Sequence, residues 1–156
     1  MPFWITNDVL RKLEEVSRKN HLFENNERFQ TRLRAGSLFD EIVSILNGNF
    51  NENKRVFIYS THDTIIAALL SGLRVFNGLN VPYAASVIFE VYESTVSTFY
   101  LNVTETRTNK LNLNTHLLRI PNCEEKCAFK KFIKNIDDLI DVQWQKECNS
   151  IVVKGN

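Results

Sequence analysis

The sequence predicts a layered domain of mixed helix and strand, α/β or α+β, and three observations carry that reading. Two stretches of helical period fill residues 7–46. A short β-branched and aromatic run at 55–60 is followed by an apolar run at 65–70. Two further strand-like runs, 86–92 and 96–103, are separated only by Glu93-Ser94-Thr95. Helices interleaved with strands bury their apolar faces by stacking in layers, here a sheet with flanking helices.

Thr6 or Asn7 can cap a first helix running to about Lys19, with Val9, Leu10, Leu13 and Val16 on one face. A second helix is expected over 27–46, its stripe made by Phe29, Leu33, Leu38, Ile42, Ile45 and Leu46. Gly36 inside it costs about 1 kcal/mol against alanine, so it marks close packing or a break. The polar stretch 47–54 ends that helix. Residues 55–60 read as a buried strand, because Val56, Phe57 and Ile58 put apolar groups on both faces. The run 65–70 reads as a buried helix, since Thr61-His62-Asp63-Thr64 can cap it and Ser71-Gly72 follow it. After the hairpin, a third extended piece is expected over 111–120, then a helix over 128–140 followed by Trp144 and Cys148.

A length of 156 residues suits one domain with a real core. The formal charge is +1 and the basic residues are dispersed, so neither nucleic acid nor an anionic membrane is an expected partner. No apolar run approaches the roughly 20 residues that cross a bilayer. The first eight residues carry no basic region and no apolar stretch of signal-peptide type, which by itself suggests a cytoplasmic protein. Two features point to an oxidising compartment instead. Asn102-Val103-Thr104 is a glycosylation sequon in a strand-like segment. Cys123 and Cys127 can close a tight disulfide loop, leaving Cys148 without a partner in the chain. A zinc site from those three cysteines and His116 is the rival reading of the same residues, although the spacing matches no common knuckle.

Chemical character concentrates at the turn Thr61-His62-Asp63-Thr64. The carboxyl end of a buried strand faces the crevice where α/β proteins bind ligands. The following helix aims its unpaired N–H groups and its positive dipole end at the same place, which suits a phosphate. A histidine there can hydrogen-bond a phosphate oxygen, and an aspartic acid can hold a proton for a leaving group. The plainer alternative is that Asp63 caps the helix and His62 is a turn residue. His21 and His116 have no acidic or cysteine neighbour at a useful spacing and read as surface or strand residues. Glu90, between Phe89 and Val91, is an acid in an apolar strand and calls for a partner. There is no glycine-rich phosphate loop, no Gly-x-Ser-x-Gly element and no metal triad, and no cofactor is expected.

The stretch Tyr59-Ser60-Thr61-His62-Asp63-Thr64 ahead of an apolar helix resembles the C-terminal signature of the branch-two histidine acid phosphatases. Further matches follow in order: Val75-Phe76-Asn77-Gly78, Pro82-Tyr83-Ala84, Phe89-Glu90-Val91-Tyr92, then Leu118-Arg119-Ile120-Pro121-Asn122-Cys123 with Cys127. Upstream, Pro2-Phe3-Trp4 and Arg32-Leu33-Arg34-Ala35-Gly36-Ser37-Leu38 match as well. The likeness runs from about Pro2 to Cys148 and is strongest to the animal prostatic and lysosomal members.

That resemblance implies that residues 1–156 form one partial domain, the C-terminal half of a histidine-phosphatase (phosphoglycerate-mutase-like) fold. It implies a phosphate-binding role for His62 and a proton-donor role for Asp63. The substrates would be phosphate monoesters, cleaved through a phosphohistidine. In the family the nucleophile lies in an Arg-His-Gly-x-Arg-x-Pro motif, and this sequence has no His-Gly dipeptide at all. The chain alone is therefore expected to hydrolyse phosphomonoesters poorly or not at all. The resemblance also implies a Cys123–Cys127 bridge, glycosylation at Asn102, and passage through the secretory route to a secreted or lysosomal location. A strongly apolar strand at 55–60, deprived of neighbours, would favour self-association.

Overall fold

A computed structural model describes residues 2, 4–49, 53–105 and 111–147. Two long helices come first, α1 (Asn7–Glu24) and α2 (Arg28–Leu46), followed by α3 (Asp63–Gly72). The strands are β1 (Ser86–Tyr92), β2 (Thr95–Glu105), β3 (Leu111–Leu117) and β4 (Cys127–Ala128), and α4 (Phe129–Asn135) completes the order. The sheet is antiparallel. β2 lies between β1 on one side and, on the other, β3 along its far half and β4 at its start.

α1 begins as the sequence predicts. Thr6 is its N-cap and its hydroxyl accepts from the Val9 N–H at 3.3 Å, while Asp8 adds negative charge to the first turn. The helix runs to Glu24 rather than Lys19. Its expected apolar face stays in solvent at Leu13 and Val16. The 75–80 loop secures α1: the Leu22 side chain packs on Gly78, and Asn80 donates to the Glu14 carbonyl at 3.3 Å. Gly78 has φ +72°, a conformation that suits glycine.

α2 carries the core partly on the expected stripe, at Ile42 and Leu46, and partly on residues beside it. Ala35, Phe39, Ile42 and Leu46 are buried, whereas Phe29 is exposed. Small residues on that stripe let neighbours approach: a Cβ on Gly36 would lie 2.6 Å from the Leu139 carbonyl oxygen. Phe39 packs on Gly72 of α3, and Ala68, Leu69 and Leu73 continue the layer. Phe132 of α4 is wholly buried and meets Phe89 of β1 edge to face at 5.9 Å. Val96 closes the core from β2. α4 packs on β2 and β4, α2 packs on α3, and one core cluster joins these helices to Val96, Val87 and Phe89 of the sheet, which makes the layered architecture.

Two basic side chains lock α2 to the tail. Arg28 donates to both carboxylate oxygens of Asp138 and to the carbonyls of Gly72 and Asn135. Arg32 reaches Glu147 and the carbonyls of Asp138, Ile140 and Asp141. These bonds end α4 at Asn135, where the sequence predicts a helix to residue 140. Carbonyls claimed by guanidinium groups fix the chain in turns, and Asp141 adopts φ 57°.

The largest correction concerns residues 55–60. They are assigned to no strand, and Val56 and Ile58 are 73% and 87% exposed. The sheet of the described residues does not take this segment in. Tyr59 ties the segment to α2 by donating from its hydroxyl to Glu41 at 3.1 Å; burial first, and that bond second, push the phenol pKa up.

Candidate active site

The turn singled out by sequence sits where the extended segment enters α3. His62 occupies the N-cap position with β-type backbone (φ −113°, ψ 162°), and its carbonyl accepts from the N–H groups of Ile65 and Ile66, each at 3.1 Å. The helix therefore starts one residue after the histidine, and Asp63 becomes its first residue. One carboxylate oxygen of Asp63 accepts from the Thr64 N–H at 2.8 Å. Its negative charge lies at the positive end of a ten-residue helix, a favourable placement. The capping alternative is thus met in part, since the His62 backbone and the Asp63 side chain both serve the helix start.

Neither side chain is closed off. The Asp63 side chain is 56% exposed, open to a substrate. His62 and Asp63 line one cleft of about 1720 Å³. Its walls are the 54–63 segment, the C-terminal part of α1, the inward side of α2, and the 80–92 chain including β1. Lys54 and Arg55 are also on its wall.

One residue that sequence reasoning assigned to the surface belongs to this site. His21 of α1 is buried, at 5% exposure, and its Nε2 lies 3.8 Å from the second carboxylate oxygen of Asp63. Its Nδ1 is buried with no hydrogen-bond partner among the described residues. No local pattern announces this pairing, because it is made by docking α1 beside α3.

The remaining candidates fall elsewhere. Glu90 is exposed on the cleft wall and accepts from the Tyr92 hydroxyl at 3.1 Å, a neighbour two positions along the same strand face. That carboxylate raises the Tyr92 pKa, and Lys126 stands over the Tyr92 ring at 4.7 Å. Asn102 lies on β2, its side-chain oxygen 3.2 Å from Nε2 of the exposed His116 on β3. Cys123 and Cys127 are joined in a disulfide. The zinc reading fails on that bond, because disulfide sulfurs are not thiolate ligands, and no group of three metal-binding side chains occurs among the described residues. Cys148 lies outside the described residues. Among the described residues, no helix is long and apolar enough to cross a membrane.

Comparison with known proteins agrees with the motif reading. The family described as the histidine phosphatase superfamily (branch 2) matches residues 3–116. Prostatic acid phosphatase of Bos taurus is 31% identical, over 95% of this chain and 39% of its own length. Lysosomal acid phosphatase of Xenopus laevis is 30% identical, over 96% of this chain and 36% of its own length. Prostatic acid phosphatase of Homo sapiens is 29% identical, over 95% of the chain and 39% of its length. The chain thus spans less than two-fifths of the length of these relatives. Similarity of this extent, with the His-Asp turn at the head of α3, makes this chain a member of the histidine phosphatase superfamily, branch 2.

Proposed function

We propose that this chain supplies the acid-donor half of an acid phosphatase, a phosphate monoester hydrolase working through a phosphohistidine. His62 would bind the transferring phosphoryl group. Asp63 would protonate the leaving alcohol as its P–O bond breaks, while the new P–N bond forms on a histidine outside this chain. The observation that carries the reading is the shared cleft: His62 and Asp63 both line it, at the positive end of α3. Phosphoryl transfer rests on positioned charge and an aligned nucleophile. With no His-Gly dipeptide in the sequence, the chain alone is inactive or weak.

The expected result is little turnover of a chromogenic aryl phosphate at about pH 5 by the chain alone. Turnover should appear on co-expression with the nucleophile-bearing N-terminal part of a prostatic relative. It should then fall by about 10² or more in Asp63→Ala. Complementation that restores nothing, or a rate indifferent to Asp63→Ala, sinks the proposal. Clear turnover by the chain alone, abolished by Asp63→Ala, would instead remove the claim that it is half a site.

A second reading is favoured by the missing nucleophile motif: a non-catalytic remnant that binds a phosphorylated ligand or a protein. Phosphate binding by the chain, without hydrolysis in the complemented assembly, supports it. Family membership also supports glycosylation at Asn102, a secretory destination, either secreted or lysosomal, and the placement of residues 1–156 as one partial, C-terminal domain. The exposed apolar groups at 55–60 support self-association of the chain when alone.

A further inference from the structure

The geometry points to His21 as the positioning residue for Asp63, holding its carboxyl group in the cleft and stabilising the carboxylate that proton donation leaves behind. This rests on Asp63 being the proton donor. His21 is the single buried residue of α1, on a helix whose positions 11–20 are all exposed. A buried imidazole with an unpaired Nδ1 needs a reason, since an aliphatic side chain would fill the same space without a polar atom to satisfy. Its other nitrogen supplies that reason, because Nε2 faces the Asp63 carboxyl.

The two oxygens of Asp63 have different partners. Oδ1 accepts from the Thr64 N–H at 2.8 Å, so the acid form carries its proton on Oδ2. Oδ2 is the oxygen 3.8 Å from His21 Nε2, longer than a hydrogen bond and within reach of a small side-chain rotation. When the Oδ2–H bond breaks and its proton passes to the leaving oxygen, the new carboxylate can accept from Nε2–H. His21 keeps its own proton throughout, so the step balances. The approach is rigidly founded: the His21 carbonyl accepts from the Asn25 side-chain amide at 2.9 Å, and Leu22, the next residue, seats on Gly78.

The test uses the 156-residue chain labelled with nitrogen-15 histidine. Long-range proton–nitrogen spectra should place the His21 proton on Nε2. In Asp63→Ala the His21 Nε2 resonance should shift while the His116 resonances stay in place. An unchanged His21 spectrum in Asp63→Ala, with the backbone amide spectrum preserved, overturns the proposal, as does a His21 proton held on Nδ1. In the complemented assembly, His21→Leu should lower kcat about tenfold with KM unchanged, a fraction of what acid–base catalysis contributes. His21→Gln, which keeps an N–H donor on a similar reach, should recover most of that loss. Equal loss in both variants would make His21 merely structural and overturn the proposal. Should the assembly hydrolyse nothing, the phosphatase reading falls by itself, and the His21–Asp63 spectra still decide the pairing.

Discussion

Arg32 closes on Glu147 with two arms, its Nε and Nη2 each 2.8 Å from a different carboxylate oxygen. The pair ties the middle of α2 to the tail, and the carboxylate also accepts from the Gln143 N–H at 2.8 Å. The guanidinium first, and that backbone bond second, lower the Glu147 pKa from 4.5 to about 2. A carboxyl group whose folded pKa is depressed stabilises the fold above its unfolded value and loses that contribution as pH falls through the folded one. The contribution of Glu147 should therefore be intact above about pH 5 and disappear between 4.5 and about 2. Urea unfolding of wild type and Glu147→Gln should differ at neutral pH and converge in that acid window. A gap that persists unchanged below it would rule out the ion pair as its source.

Gly36 is a second point of contact with the tail. A Cβ added there would sit 2.3 Å from Cγ2 of Val142 and 2.6 Å from the Leu139 carbonyl oxygen. The methyl of Val142 can move; the carbonyl belongs to a turn held by Arg28 and Arg32 and cannot move cheaply. Overpacking of this kind costs up to about 3 kcal/mol, offset by about 1 from the better helix propensity of alanine. Gly36→Ala should thus lower stability by about 2 kcal/mol. The readout is a reduced urea midpoint at unchanged m. A midpoint equal to wild type or higher would contradict the close approach.

Cys123 and Cys127 bracket the loop that brings β4 onto the start of β2, where Cys127 pairs with Val96. Closing so short a loop restricts the unfolded chain modestly, by about 2 kcal/mol in the chain-entropy estimate. The double variant Cys123→Ala with Cys127→Ala should lose about that much in denaturant titration. Reductant should lower the stability of wild type toward the variant and leave the variant itself unaffected. Equal sensitivity of both proteins to reductant would place the effect elsewhere.

Much of this architecture was legible in the sequence because it is locally encoded. Thr6 caps α1, the polar turn at 61–64 starts α3, and Glu93-Ser94 joins β1 to β2 within a residue of the expected bounds. What was misread depends on partners distant along the chain. On α2, Ile42 and Leu46 and the close packing at Gly36 were read rightly, but apolar counting added the exposed Phe29 and passed over the buried Ala35, whose value lies in being small. The end of α4 is set by Arg28 and Arg32 from another helix. His21 reaches Asp63 through the docking of α1, which the 75–80 loop holds at Gly78 and Asn80, so no spacing rule could pair them. His62 and Asp63 could be singled out in the sequence because they are adjacent residues at a helix start.

The 55–60 segment was misread for a different reason, and it yields the last prediction. Its composition fits burial on both faces, yet Val56 and Ile58 stand in solvent on the cleft wall. Exposed apolar groups on extended chain favour pairing between molecules, which charges on the same positions oppose. We expect Val56→Lys with Ile58→Lys to shift sedimentation of the chain from associated species toward monomer. Neither side chain is in the core, so the thermal midpoint should change little, as for surface substitutions generally. Two outcomes count against the idea: a wild-type chain that sediments as monomer at high concentration, or association undiminished by the two lysines. Undiminished association would move attention to other exposed apolar groups, such as the Leu13 and Val16 face of α1.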